Sequence, residues 1–215
     1  MAISFISSAS NLGNSITSFP THQKNDLLLI FAYNDGTSTA VTRPSGWISR
    51  TVLAIGASGS LTVAYKVAEN NSTTSGTWTN ADVIMVMVFR AGLDEVVSVN
   101  FINSQQATSA TMTYGAQAAG TFETSAADQA FVAFIANRNN TNTLLPPGTM
   151  TNAEYLTDTT FGVAGHYQLA RSTIWTALSV TEATSAAYRT IVVGLTAVTE
   201  IMPRARLIGS SNLIG

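Results

Sequence analysis

Cysteine is absent from this chain of 215 residues, and charged residues make up only 10% of it. The absence of cysteine excludes disulfide bonds, thiolate nucleophiles and thiolate metal ligands. Soluble domains usually carry about 25% charged residues, so the surface here must consist largely of Ser, Thr, Asn, Gln and Gly. A neutral polar surface of this kind suits a subunit that buries much of its surface in an assembly.

Basic clusters and long apolar segments are also missing. The net charge is −2 and the 10 Lys and Arg residues are scattered, which argues against a nucleic-acid partner. No segment reaches the ~20 apolar residues that a membrane span requires, and the first residues lack the basic and apolar regions of a secretory signal. We therefore expect synthesis in the cytoplasm and no membrane insertion.

Catalytic and metal-binding patterns are missing as well. His22 lies in a polar segment and His166 in an alternating one, and neither has a second His or a paired carboxylate at metal-ligand spacing. We expect both histidines to be exposed or hydrogen-bonded. There is no nucleophile-elbow, phosphate-loop or dinucleotide-binding motif. We predict a protein that is not an enzyme, with no catalytic residue, no metal site and no cofactor.

What the chain does contain is a set of short, uninterrupted apolar runs bounded by turn residues. Runs of this length that are rich in β-branched residues are typical of strands buried on both faces. We predict an all-β protein of about twelve strands, with a second short strand at Ser15–Phe19. The four central strands are predicted at Leu27–Tyr33, Val83–Phe89, Phe131–Ala136 and Ile191–Leu195.

The order of features in the first half recurs in the second half. In an alignment without gaps, the run Leu27–Tyr33 falls on Gln129–Ile135, and several turn and strand residues coincide. The coinciding pairs are Asp26 with Asp128, Pro44 with Pro146, Gly46 with Gly148, and Tyr65 with Tyr167. We predict one antiparallel β-sandwich over residues 1–200 with an internal pseudo-two-fold repeat, its halves covering about 1–95 and 96–200. Two tandem domains are the alternative.

Two further features suggest contacts with other molecules. We predict that residues 201–215 form an extended C-terminal arm. Two apolar pairs that follow Pro203 in this arm are predicted to dock on a neighbouring subunit. These pairs are Leu207 with Ile208 and Leu213 with Ile214. Trp78 follows a Thr-rich segment, and an indole ring can lie against a sugar, so Trp78 is the candidate glycan contact.

The motifs around the central runs resemble those of a group of structural proteins from tailed bacteriophages. The matching segments are Asn25–Leu28, Pro44–Trp47, Ala64–Ala68 and Val86–Gly92, with looser matches at Pro147–Gly148 and Tyr167–Ala170. The resemblance implies a β-sandwich or jelly-roll-like subunit of the tail, fibre or capsid decoration, with no catalytic residues.

From this resemblance and the composition, we expect a non-enzymatic virion component that acts by self-assembly, as a homo-oligomer such as a trimer or hexamer, and by docking to other virion proteins. It would be made in the host cytoplasm and reside in the virion. The alternative is a carbohydrate-binding module that recognises a host surface glycan. A loss of glycan binding on Trp78→Ala would favour that alternative.

Overall fold

The computed structural model of the chain describes residues 2–54, 59–117, 129–170 and 174–199. In these ranges the chain is all-β, with ten strands and no helix. It therefore contains, in the same ranges, no helix long and apolar enough to cross a membrane. The predicted all-β class is confirmed, but the predicted short strand Ser15–Phe19 is wrong, because this segment is a loop.

The ten strands form two antiparallel sheets, each made by one half of the chain. The first sheet has the order β1-β5-β2-β4-β3 and the second the order β6-β10-β7-β9-β8. The strands of the first sheet are β1 (Ser4–Leu12), β2 (Leu27–Asn34), β3 (Ile48–Ala54), β4 (Ser60–Val67) and β5 (Val83–Arg90). Those of the second are β6 (Glu95–Tyr114), β7 (Gln129–Asn137), β8 (Thr151–Thr157), β9 (Gly162–Leu169) and β10 (Leu178–Thr199).

The two sheets have the same strand order when β1–β5 are matched in sequence with β6–β10. Within the described residues the chain passes from one sheet to the other once, between β5 and β6. This is not the expected jelly-roll-like connectivity, in which successive strands alternate between two sheets. The structure is a β-sandwich whose layers are two similar sheets in tandem.

Irregularities at the same place in both edge strands fix the match between the sheets. The register of β3 shifts between Ser49 and Thr51, and that of β8 shifts between Asn152 and Glu154. The residues opposite these shifts are Val63 and Gly165, which pair in turn with Phe31 and Phe134.

Phe31 and Phe134 therefore hold equivalent positions in the two sheets. The gap-free alignment placed Phe31 on Ala133, one residue away. Because side chains alternate between the faces of a strand, that slip would move every residue of the run to the wrong face. The register places Leu27–Tyr33 on Ala130–Ala136 instead.

The main core lies between the sheets and is filled by their inner faces. Phe31 and Phe134 meet there with stacked rings, 4.7 Å between centroids and 6° between planes. The four strands predicted as central are β2, β5, β7 and β10, and each has a neighbour on both sides. That prediction is confirmed, and β2 and β7 are buried along their whole length.

Loops cover the outer face of each sheet and build two further cores. The connections β1–β2, β2–β3 and β4–β5 each pass over one strand of the first sheet. They bring Ile16, Val41 and Trp78 against the outward side chains of that sheet. On the second sheet, Leu144 and Trp175 have the same role. This loop layer explains why the central strands are apolar on both faces.

Candidate functional site

Three of the motif segments from the first half of the chain meet at one end of the first sheet, through Asn25, Ala68 and Arg90. Asn25 has a φ of 72°, a left-handed conformation that Asn and Gly tolerate best. Its backbone N–H donates to the carbonyl of Ala68, and the Ala68 N–H donates to the carbonyl of Asp26, both at 2.8 Å. These bonds extend the pairing of β2 with β4 past the end of the strands.

Asp26 and Arg90 complete this end with a bidentate ion pair. Arg90 Nε donates to Asp26 Oδ1 at 2.6 Å and its Nη2 to Oδ2 at 2.8 Å. The Asp26 side chain has no exposed surface, and the hydrogen bond to it raises the pKa of Arg90. The Gln23 backbone N–H donates to Oδ2 as well, at 2.8 Å. The carboxylate thus accepts three hydrogen bonds, and the geometry gives these residues a structural role.

Trp78 does not present a sugar-binding surface. It is fully buried in the core under the loops, where its ring meets that of Trp47 at 5.6 Å between centroids. Its indole N–H donates to the carbonyl of Ser75 at 3.0 Å. The prediction of Trp78 as a glycan contact is therefore wrong, because a ligand cannot reach a ring that lies wholly inside a core. Trp175 is buried in the same way on the second sheet.

The apolar pairs of the C-terminal arm, Leu207 with Ile208 and Leu213 with Ile214, lie outside the described residues. The prediction that they latch a neighbouring subunit stays a prediction.

His166 is buried on the outer face of β9, contrary to our expectation of an exposed or hydrogen-bonded side chain. Neither of its ring nitrogens forms a hydrogen bond with the described part of the chain. Burial lowers the pKa of His166 from 6.5 to about 4, which keeps the ring neutral. The alternating pattern of β9 indicates on which face of the strand His166 lies, but the sequence did not show that loops cover this face.

Three aspartates surround a cavity of about 540 Å³ at the turn end of the sandwich: Asp35, Asp82 and Asp158. Asp35 is already bound, since Tyr33 Oη donates to its Oδ1 at 2.9 Å and Arg138 Nε lies 3.1 Å from the same oxygen. Burial and the charge of Asp35 raise the pKa of Tyr33, so the hydroxyl remains a donor. No set of three or more His, Cys, Asp or Glu side chains in the described ranges could hold a metal ion.

Two concavities of about 410 and 400 Å³ flank the loop Ser72–Thr74 on the first sheet. Both are lined by this loop, and the 400 Å³ concavity also by Phe19 and His22. Trp47 and the ion pair of Lys66 with Glu69 lie on the other side, in the 410 Å³ concavity. We call the two concavities together the loop trough. The Thr-rich segment before Trp78 drew attention to this region of the sequence. The side chains that a ligand can reach there belong to the loop Ser72–Thr74, and not to the buried indole ring of Trp78.

The edges of the sheets are a second kind of accessible surface. As far as the structure describes the chain, β1, β3, β6 and β8 pair on one side only. Hydrogen bonds from Ser8 to the Ala153 carbonyl and from Ser10 to Glu154 tie β1 to β8 across the sandwich. The edge of β6 is different, because residues 105–108 are all exposed.

No protein-family model matches the chain, and neither the curated proteins nor the solved structures contain a significant match to it.

Proposed function

We propose that this chain is a non-enzymatic structural subunit of a bacteriophage particle, a component of the tail, fibre or capsid decoration. In this proposal it acts by self-association and by docking to neighbouring virion proteins. The observation that carries the proposal is the long edge of β6, which has no second strand partner among the described residues and no charge after Glu95, in a chain with 10% charged residues.

An open strand edge offers unpaired backbone N–H and C=O groups to another chain. Proteins that must stay monomeric protect such edges with Lys, Pro, strong twists or short strands. β6 is 20 residues long and has neither Pro nor any charged residue after Glu95. Its pairing with β10 is irregular at Ile102 and again at Ala110, and the exposed segment Gln105–Thr108 lies between these two points.

The neutrality of β6 favours a second copy of the same chain as its partner. In a two-fold contact a patch meets itself, so a charged edge would repel its copy and a neutral one would not. Antiparallel pairing of two β6 strands would join two sheets into one. A hexamer built from three such pairs contains this contact, whereas a trimer does not, so we expect an even number of subunits.

Light scattering on the purified full chain tests the proposal. We expect a discrete oligomer that falls to the monomer mass in the double variant Gln106→Lys/Thr108→Lys, because like charges would then face each other. Thr77→Lys adds a charge to an exposed loop and serves as the control, with no expected change in mass. A monomer for the unmodified chain at all concentrations would overturn self-association through β6.

The arm is tested separately with a chain that ends at Met202. If the oligomer dissociates without residues 203–215, the arm contributes to the contact. If the shortened chain keeps the oligomer of the full chain, the arm is not its latch.

A further inference from the structure

We infer that the loop trough is a binding site for neutral carbohydrate, a role that is independent of the proposed assembly through β6. The two concavities share the wall Ser72–Thr74, so that a chain of sugar rings can lie across the loop with a ring on each side. Each concavity falls within the range of about 300–1,000 Å³ that is common for small-ligand sites.

The charges around the trough cancel each other. Lys66 Nζ lies 3.2 Å from Glu69 Oε1, and the remaining polar groups of the lining are neutral hydroxyls, amides and an imidazole. A neutral lining rich in hydroxyls and amides can donate to and accept from a polyhydroxylated ligand, and it offers no counter-charge to an anion. Most of these groups belong to Ser45, Asn70, Asn71, Ser72, Thr73 and Thr74.

His22 supplies an unused acceptor at the trough. The side chain is only 7% exposed, and its Nδ1 lies 2.8 Å from the Pro20 carbonyl, which can only accept. Nδ1 therefore carries the proton, and Nε2 of the neutral ring is an acceptor. Nε2 is buried and has no hydrogen-bond partner among the described residues. A buried acceptor without a partner is uncommon in native proteins, and a small shift of this ring, which lines the 400 Å³ concavity, would bring Nε2 to a sugar hydroxyl.

Phe19 supplies the apolar surface that sugar recognition also needs. Its ring stands at 89° to that of His22 with 5.4 Å between centroids, so the imidazole holds its orientation. Phe19 is partly exposed and lines the same concavity. An aromatic ring placed in this way can pack against the C–H face of a pyranose.

The loop between the concavities is held in place before any ligand binds. Asn70 Oδ1 accepts from the Ser72 N–H at 2.8 Å and from its hydroxyl at 2.9 Å. Ser75 Oγ accepts from the Ile16 N–H at 3.0 Å, and the Ser75 carbonyl accepts from the Trp78 indole. Trp78 thus positions the loop from below. A rigid loop loses less conformational entropy on binding, which favours affinity.

Titration of the ¹⁵N-labelled full chain with maltotriose, chitotriose or lactose, followed by NMR, tests the inference. We expect shift changes at residues 70–74 and near His22, with a dissociation constant of about 1 mM or tighter for at least one sugar. The anionic sialyllactose is expected to bind no better than lactose, because the lining offers no free cation. If none of the three neutral sugars shifts these resonances at about 50 mM, the inference is overturned.

Two variants locate the site. Asn71→Ala removes an exposed amide, and Phe19→Ala removes the apolar surface; each is expected to weaken binding about tenfold. Tyr155→Ala, which removes a partly exposed aromatic ring from the edge strand β8, is the control and should bind normally. Phe19 also packs on the core, so Asn71→Ala keeps the test valid if Phe19→Ala fails to fold. Binding that persists in both variants, or that is lost in Tyr155→Ala, would place the sugar elsewhere.

Discussion

The ionisable side chains of this protein differ sharply in how their burial is compensated. Asp26 has no exposed surface, and its ion pair and backbone hydrogen bond satisfy it. His166 is equally buried but has no hydrogen-bond partner in the described structure, and it is neutral. Burial by itself disfavours the charged form of a side chain, and an opposite charge or a hydrogen bond offsets that cost. Removal of the partner of Asp26 tests one case, and replacement of His166 tests the other.

Replacement of Arg90 by Ala should strongly destabilise the protein. The change leaves the Asp26 carboxylate buried without its cation, which costs about 3 kcal/mol of the free energy of unfolding. Arg138→Ala is the matched control, because Arg138 and Arg90 are similarly exposed, at 39% and 35%, but its partner Asp35 is 12% exposed whereas Asp26 is fully buried. Solvent screens that pair, and we expect a loss below about 1 kcal/mol. Urea denaturation of both variants measures the difference, and equal losses would contradict the view that Arg90 compensates a buried carboxylate.

The neutral state of His166 makes stability depend on pH. Its pKa is about 4 in the folded protein against 6.5 ordinarily, so the unfolded chain binds the proton first as pH falls. This contribution to stability is complete above pH 6.5 and is lost as the pH drops from there to 4, by up to about 3 kcal/mol.

The variant His166→Ala isolates this effect, and Ala is the residue at the equivalent position of the first sheet, Ala64. The variant is less stable at neutral pH because it leaves a cavity, but its stability should fall less steeply between pH 6.5 and 4. Denaturation curves at a series of pH values compare the two slopes. Parallel slopes in both proteins would mean that His166 titrates normally.

At the scale of the strand, the sequence predicted the central elements better than their surroundings. The runs that became β2 and β5 are apolar without interruption, and such a run has few alternatives to a doubly covered strand. Ser15–Phe19 was misread because Ile16 is apolar for a different reason, since it packs from a loop onto the outer face. Trp78 was misread for the same reason. Composition can show that a loop is polar and aromatic, but it cannot show which of its side chains point inward.

The equivalent strands β4 and β9 differ where they face the other sheet. Gly165 of β9 takes the position of Val63 of β4, and a Cβ at Gly165 would approach Met87 closely and lie 2.7 Å from Met85 Sδ. Gly165→Ala should therefore cost about 1–3 kcal/mol through overpacking between the sheets.

A shorter side chain opposite should relieve that cost. We expect Met87→Val to destabilise the protein alone but to be tolerated better in the presence of Gly165→Ala. Thermal or urea unfolding of the two single variants and the double variant gives the coupling energy. Strictly additive losses would show that the two positions do not compete for the same space.

For the whole molecule, the shared inner core makes the two sheets mutually dependent. The inner faces of both sheets contribute to one cluster, with Phe31 stacked on Phe134 at its centre. Neither half can bury this face alone, so we expect a single cooperative unfolding transition. Chains 1–92 and 93–215, made separately, should lack the dispersed NMR spectra of folded proteins and should gain them on mixing. Two halves that each fold alone would support the tandem-domain alternative.

The sequence predicted the all-β class and the four central strands, and it predicted a repeated order of features that the strand orders of both sheets share. It did not predict the register, because five residues separate β3 from β4 but only four separate β8 from β9, and a gap-free alignment ignores this difference. It did not predict the connectivity either, since an apolar strand carries no record of which sheet it joins. For the loop trough, the Thr-rich composition was visible, but the contribution of His22 and Phe19 depends on a neighbouring loop.

The single passage from β5 to β6, over residues 91–94, has a consequence for how copies of this chain meet during synthesis. At about 5–20 residues per second, the first half leaves the ribosome several seconds before the second is complete. During this time the inner face of the first sheet stays uncovered. The second half of a neighbouring nascent chain can cover it as well as the second half of the same chain. Short connections of this kind favour such exchange of halves, in which Phe31 of one copy would stack on Phe134 of another. Intertwined pairs could therefore arise at high expression and would have the same core as the monomer.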